Sequence, residues 1–97
     1  MNLNRLRRQI DGIDRQLLKL LNRRADLSLE IGRIKKKRGL PILDNRREEL
    51  VLRTLTQTNH GPLSEASLRR TFHEIFRHSR KLQAALASGM MKRRRLT

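Results

Sequence analysis

Apolar residues recur through the first third of the chain at steps alternating between three and four. The series runs Leu3, Leu6, Ile10, Ile13, Leu17, Leu20, Arg24, Leu27, Ile31, Ile34 and Arg38. Such spacing keeps one face of an α-helix apolar and makes it a seam for another helix. No proline interrupts it, and Gly39-Leu40-Pro41 supplies the stop. At ~1.5 Å per residue this helix is about 50 Å long, too long for a compact monomer of 97 residues. Gly12 and Gly32 weaken it locally, and Gly32 permits close approach of a neighbour.

Asp44 can cap a second helix running to about Thr58, with Leu50, Val51 and Leu55 inward. Asn59-His60-Gly61-Pro62 is a turn cluster. Ser64 is suited to cap a third helix, and Leu63 with Leu68 has hydrophobic-staple spacing. The apolar stripe of that helix is Leu68, Phe72, Ile75, Ser79, Leu82 and Leu86. The fold class is therefore all-α, with one long, one short and one medium helix. Residues 1–88 form the domain. Residues 89–97 lose periodicity and are expected to be a disordered basic tail.

Composition adds three constraints. With 24 Lys+Arg against 9 Asp+Glu, the formal net charge is +15, which suits a nucleic-acid footprint or a site for a small anion. Two Phe, with no Trp or Tyr, argue against the aromatic platforms of single-stranded nucleic-acid binders. A chain this short buries a modest fraction of its surface alone, so a second copy is expected. The absence of cysteine excludes disulfides and thiolate metal sites. His60, His73 and His78 lack metal-ligand spacing, and no metal site is expected. Without a signal-peptide core or membrane-length apolar run, the sequence reads as cytoplasmic with no membrane partner.

Polar residues interrupt the apolar seams at several points. Arg24 takes a core position of the first series, where an unpaired guanidinium is costly unless an anion meets it. Lys35, 11 residues on, returns to within ~20° of the same face and lies ~16 Å along the axis. Ser79 interrupts the third stripe, with Gln83 one turn on. Asp44, Arg47 and Glu48 share a face by i, i+3 and i+4 spacing. Each has a plainer reading. Arg24 can be a register device, Lys35 one of a solvated cationic run, Ser79 a tolerated small residue. Asp44 can be simply a cap, and Arg47 with Glu48 surface charge. The conjunction on all three helices is harder to dismiss.

In this order and spacing, the segments resemble the AroQ-class, all-helical chorismate mutases. The signposts are Leu6-Arg7-Arg8-Gln9-Ile10-Asp11-Gly12-Ile13-Asp14, Leu20-Leu21-Asn22-Arg23-Arg24 and Glu30-Ile31-Gly32-Arg33-Ile34-Lys35. Pro41-Ile42-Leu43-Asp44-Asn45-Arg46-Arg47-Glu48 follows, then Phe72 to Gln83. The resemblance implies an intertwined homodimer that converts chorismate to prephenate without a cofactor. It places Arg7, Arg24, Lys35, Asp44, Arg47, Glu48, Ser79 and Gln83 at substrate-binding positions, with Lys35, Gln83 and Arg24 the catalytic set.

That reaction needs no nucleophile or general base, only a compact conformer and stabilisation of charge growing on the ether oxygen. Lys35 and Gln83 are then expected at the ether oxygen, and Arg7 and Arg24 at carboxylates. Glu48, with Asp44 through its backbone, receives the ring hydroxyl, while Arg47 and Ser79 complete the wall. Arg7 lies 17 residues from Arg24, or ~25 Å along a straight helix, and ~42 Å from Lys35. It must therefore come from the partner protomer. The alternatives are an isochorismate pyruvate lyase of the same fold and a non-enzymatic basic helical nucleic-acid binder. The binder explains the charge but not Arg24, Ser79 and Gln83 in apolar seams, so nucleic acid is not the expected partner.

Overall fold

The computed structural model describes residues 2–89. The basic tail expected over 89–97 lies, from residue 90 onward, outside the described residues. The order is α1 (Leu3–Arg38), α2 (Asn45–Thr58) and α3 (Glu65–Ala87), joined by short turns with no strand among the described residues. The 36-residue α1 spans the longest dimension of the molecule, 55 Å.

Local chemistry sets the helix ends. Asn2 accepts a hydrogen bond from the Arg5 amide at 3.2 Å and caps α1. At its other end Gly39 adopts φ 66°. The Gly39 and Leu40 amides then donate back to the Lys36 and Lys35 carbonyls, the paired bonds of a Schellman motif. Asp44 caps α2 by accepting from the Arg47 amide at 3.0 Å, and Ser64 caps α3 by accepting from Ser67 at 3.1 Å. Gly39, Asp44 and Ser64 are the stop and starts expected from the sequence; the Asn2 cap is an addition from the structure. Leu63, the proposed staple residue, remains exposed while Leu68 is buried.

The helix α3 packs against both α1 and α2, which do not approach each other. Between α2 and α3 the core is Leu52, Leu68 and Phe76, flanked by Val51, Leu55 and Phe72. Leu52 is only 1% exposed. Leu50, expected inward, faces solvent instead, because the packed face of α2 centres on Leu52, two residues on. On α3 the deepest residues are Leu68, Phe76 and Gln83. The face is broader than the expected stripe because α3 has a neighbour on two sides.

The contact of α1 with α3 centres on Ser28, Leu29 and Gly32, a face that borders the long apolar seam without using its Leu and Ile side chains. A Cβ on Gly32 would lie 3.0 Å from Gln83 Cγ and 3.5 Å from its Cα. Glycine therefore sets the close approach of the two helices, as the sequence suggested. The seam itself is uncovered: Leu3, Leu6, Ile10, Ile13, Leu17, Leu20, Leu27, Ile31 and Ile34 are all exposed within the single chain. Among the described residues, no helix is long and apolar enough to cross a membrane.

Candidate active site

A cavity of about 350 Å³ opens where α1 and α2 diverge and α3 closes the back. Each helix contributes side chains at intervals that return to one face. From α1 come Arg24, Leu27, Ser28, Ile31 and Lys35; from the α1–α2 turn and α2 come Ile42, Asp44, Arg47, Glu48 and Val51. Phe76, Ser79, Arg80 and Gln83 complete the wall from α3. Steps of three, four and seven relate nearly all of them, the geometry of helix rows facing a common centre.

Arg24 is anchored from two directions. Its Nη1 donates to Ser79 Oγ at 2.6 Å, and its guanidinium carbon lies 5.5 Å from the Phe76 ring centroid, within cation–π range. Burial pushes its pKa below the ordinary value, the like charge of Arg47 adds to the fall, and Glu48 partly offsets it. A guanidinium starts so high that it stays cationic all the same. Among the described residues, Arg24, Lys35 and Arg47 form no ion pair with a carboxylate. Three cations bordering one cavity, none so paired, call for an anionic ligand.

Lys35 is fixed by the turn that ends its helix. Its Nζ donates to the Ile42 carbonyl at 2.7 Å, which uses one of three ammonium protons and leaves two for a ligand. Asp44 is committed to the cap of α2 through one oxygen. Gln83, buried, donates through Nε2 to the Ser28 carbonyl at 3.0 Å and to Ser28 Oγ at 3.1 Å. The Ser28 carbonyl can only accept, so it sets which end of the amide faces it. Gln83 Oε1 is buried with no hydrogen-bond partner, a condition that recurs at functional sites.

Seven of the eight expected site residues thus border one cavity: Arg24, Lys35, Asp44, Arg47, Glu48, Ser79 and Gln83. Arg7 does not; it sits on the exposed first half of α1. Sequence reasoning missed Ser28, Phe76 and Arg80. Ser28 was findable, four residues after Arg24 and seven before Lys35 on the same helix row. Arg80 ion-pairs with Glu48 across α2 and α3, a partnership no single-helix pattern reveals. Among the described residues no cluster of side chains could hold a metal ion.

The glycine at the helix crossing gives a test of this geometry. Gly32→Ala adds about 1 kcal/mol of helix propensity, offsetting much of the crowding, so Tm should stay within a few degrees. The new methyl displaces Gln83, and kcat/KM should fall about tenfold, as expected of a misplaced site group. Steady-state kinetics beside thermal melts would check this; unchanged kinetics would mean the methyl is absorbed without moving Gln83.

Comparison with known proteins gives a consistent answer. The family model described as chorismate mutase type II matches residues 6–84. The chorismate mutase of Helicobacter pylori, solved in complex with prephenate, aligns with a TM-score of 0.82 and 34% identity, covering 93% of this chain and 97% of that one. Form II of the Thermus thermophilus chorismate mutase gives a TM-score of 0.83 and 40% identity, covering 84% and 93% of the two chains. The bifunctional chorismate mutase/prephenate dehydratase of Aquifex aeolicus (strain VF5) is 40% identical over 77 residues, 75% of this chain and 21% of that protein. Against such bifunctional relatives the chain spans about a fifth of their length. With a match running from the first turns of α1 almost to the end of α3, this chain belongs to the type II chorismate mutase family.

Proposed function

We propose that this chain is a cytoplasmic chorismate mutase acting as an intertwined homodimer, converting chorismate to prephenate without a cofactor. The observation that carries the reading is the convergence of Arg24, Lys35 and Arg47, none paired with a carboxylate, on a cavity sized for one small dicarboxylate. Arg24 grips a carboxylate, and Arg47 with Ser79 holds the ring carboxylate. Lys35 turns its free ammonium protons to the ether oxygen as the C–O bond breaks and the C–C bond forms. Gln83 adds a second hydrogen bond by turning one amide proton away from Ser28 Oγ. Glu48 accepts the ring hydroxyl, with the Asp44 backbone beside it. Preorganised donors aimed at the developing charge act chiefly on the transition state.

Arg7 enters from the partner protomer. Its ~25 Å separation from Arg24 along one helix is beyond side-chain reach, and the uncovered seam of α1 is the surface on which a second copy would lie antiparallel. That arrangement gives two equivalent sites, each built from both chains.

The primary test is loss of chorismate absorbance with the product identified as prephenate; pyruvate release from isochorismate would instead establish a lyase. Duplex binding that weakens with salt, without chorismate turnover, would establish the nucleic-acid alternative. The shared site has its own test. Arg7→Ala and Arg24→Ala should each be nearly inactive, and a mixture of the two should recover activity because some heterodimers hold one intact site. No recovery after confirmed subunit exchange would reject the exchange of Arg7.

A further inference from the structure

We infer that Arg80 is a positioning residue for Glu48, holding its carboxylate so that the pocket selects a substrate with a free ring hydroxyl. This rests on the mutase reading above and adds a residue to it. Glu48 on α2 and Arg80 on α3 both line the cavity, and Arg80 Nη1 donates to Glu48 Oε2. The pair differs in setting from the other ion pairs of the described residues. The Glu48 side chain is 19% exposed, whereas the acidic partners of the other pairs are 52% to 63% exposed. Exposed pairs contribute little; a half-buried, charge-assisted contact on a cavity wall fixes geometry.

Two consequences follow for the site. A carboxylate with Oε2 taken by a guanidinium presents Oε1 to a ligand donor in one orientation. Arg80 also satisfies a charge that would otherwise turn toward Arg24 and Arg47. Glu48 already acts electrostatically on Arg24, and closing that distance would neutralise a cation needed for the substrate carboxylates. Of the cavity's four cations, Arg24, Lys35, Arg47 and Arg80, the last balances Glu48 and leaves three to meet a dianion. A hydroxyl that donates to Oε1 fits this arrangement, and an ether at the same position does not.

The test is steady-state kinetics with chorismate and with its ring-hydroxyl methyl ether, for the unaltered protein, Arg80→Met, Arg80→Lys, Glu48→Gln and the Arg80→Met/Glu48→Gln double variant. Arg80→Met should raise KM for chorismate about tenfold, the loss typical of a charge-assisted hydrogen bond, with kcat changed by less than about threefold. Arg80→Lys should restore part of the loss. KM for the methyl ether should not respond to Arg80→Met, and in the Glu48→Gln background Arg80→Met should have less than about a twofold effect. An undiminished effect in that background would overturn the inference, because Arg80 would then act on substrate directly. A lowered Tm with unchanged KM would also overturn it, leaving Arg80 as a tie between α2 and α3. If Arg80→Met loses its helical signal, Arg80→Gln, which removes the charge but stays polar, replaces it, and the criteria become loss of its KM effect in the Glu48→Gln background and with the methyl ether. Absence of turnover by the unaltered protein would strike the mutase reading itself, whereas normal turnover with uncoupled variants strikes this inference alone.

Discussion

Replacing Lys35 by alanine should lower kcat by about 10²- to 10³-fold, the usual cost of removing a donor aimed at developing negative charge. The ammonium sits in the last turn of α1, where the Gly39 cap sets the path of the chain, and the Ile42 carbonyl fixes it at 2.7 Å. It is thus held in place before ligand arrives. That preorganisation is what makes a cation effective in the transition state rather than merely adhesive. Lys35→Arg should rescue poorly, because a planar fork cannot replace a compact ammonium tied to the same carbonyl. Single-turnover kinetics with product identification would measure the effect, and circular dichroism would confirm that the helices persist. A Lys35→Ala protein of near-normal kcat would remove lysine from the charge-stabilising role.

The second large effect concerns assembly. Ile13→Asp, in the uncovered seam, should abolish the proposed dimer and with it most of the cooperative fold. Ile13 is 61% exposed within one chain, so an aspartate there costs an isolated chain almost nothing. In a two-fold dimer the same change occurs twice. Each copy forfeits about 1.5–3 kcal/mol of apolar burial and adds the cost of a charge in an apolar seam. Against a total stability of about 5–15 kcal/mol for a typical domain, that loss is decisive. The intrachain core, built on Leu52, Leu68 and Phe76, is small for a stable monomer. Sedimentation equilibrium with far-ultraviolet circular dichroism would check this; a fully helical, monodisperse monomer of Ile13→Asp with undiminished turnover would refute the two-chain site.

The parts of the molecule legible in the sequence are those governed by neighbouring residues. Gly39, Asp44 and Ser64 act within one helical turn, so the ends of all three helices follow from local chemistry. Arg24 and Lys35, or Asp44, Arg47 and Glu48, share a helix row, so their convergence follows from spacing. Less legible was which face each helix turns inward. Leu50 looked as apolar as Leu52, yet Leu52 alone reaches the core, since that choice depends on how α2 leans on α3. The seam of α1, read as a surface for another helix, stays exposed within the single chain, while the chain's own α3 packs on Ser28, Leu29 and Gly32. Ser28 is small and polar, and only contact with Gln83 gives it a role. Arg80 stood in an obvious cationic stretch, and its pairing depends on a crossing between two helices remote in sequence. Of the eight residues that the resemblance placed in a site, seven lie on one cavity and Arg7 does not.

Because α1 and α2 each lean on α3 and not on one another, the spacing of their cavity-facing rows is set through α3 and through the turn that joins them. A tilt of α2 would move Asp44, Arg47, Glu48 and Val51 together, relative to Arg24, Ser28 and Lys35 on α1. Two latches oppose the tilt: the Lys35–Ile42 bond at the hinge end and the Arg80–Glu48 pair farther along. Bulkier ring systems could therefore be admitted by loosening the farther latch, without redrawing the cationic row of α1 that grips the rest of the molecule.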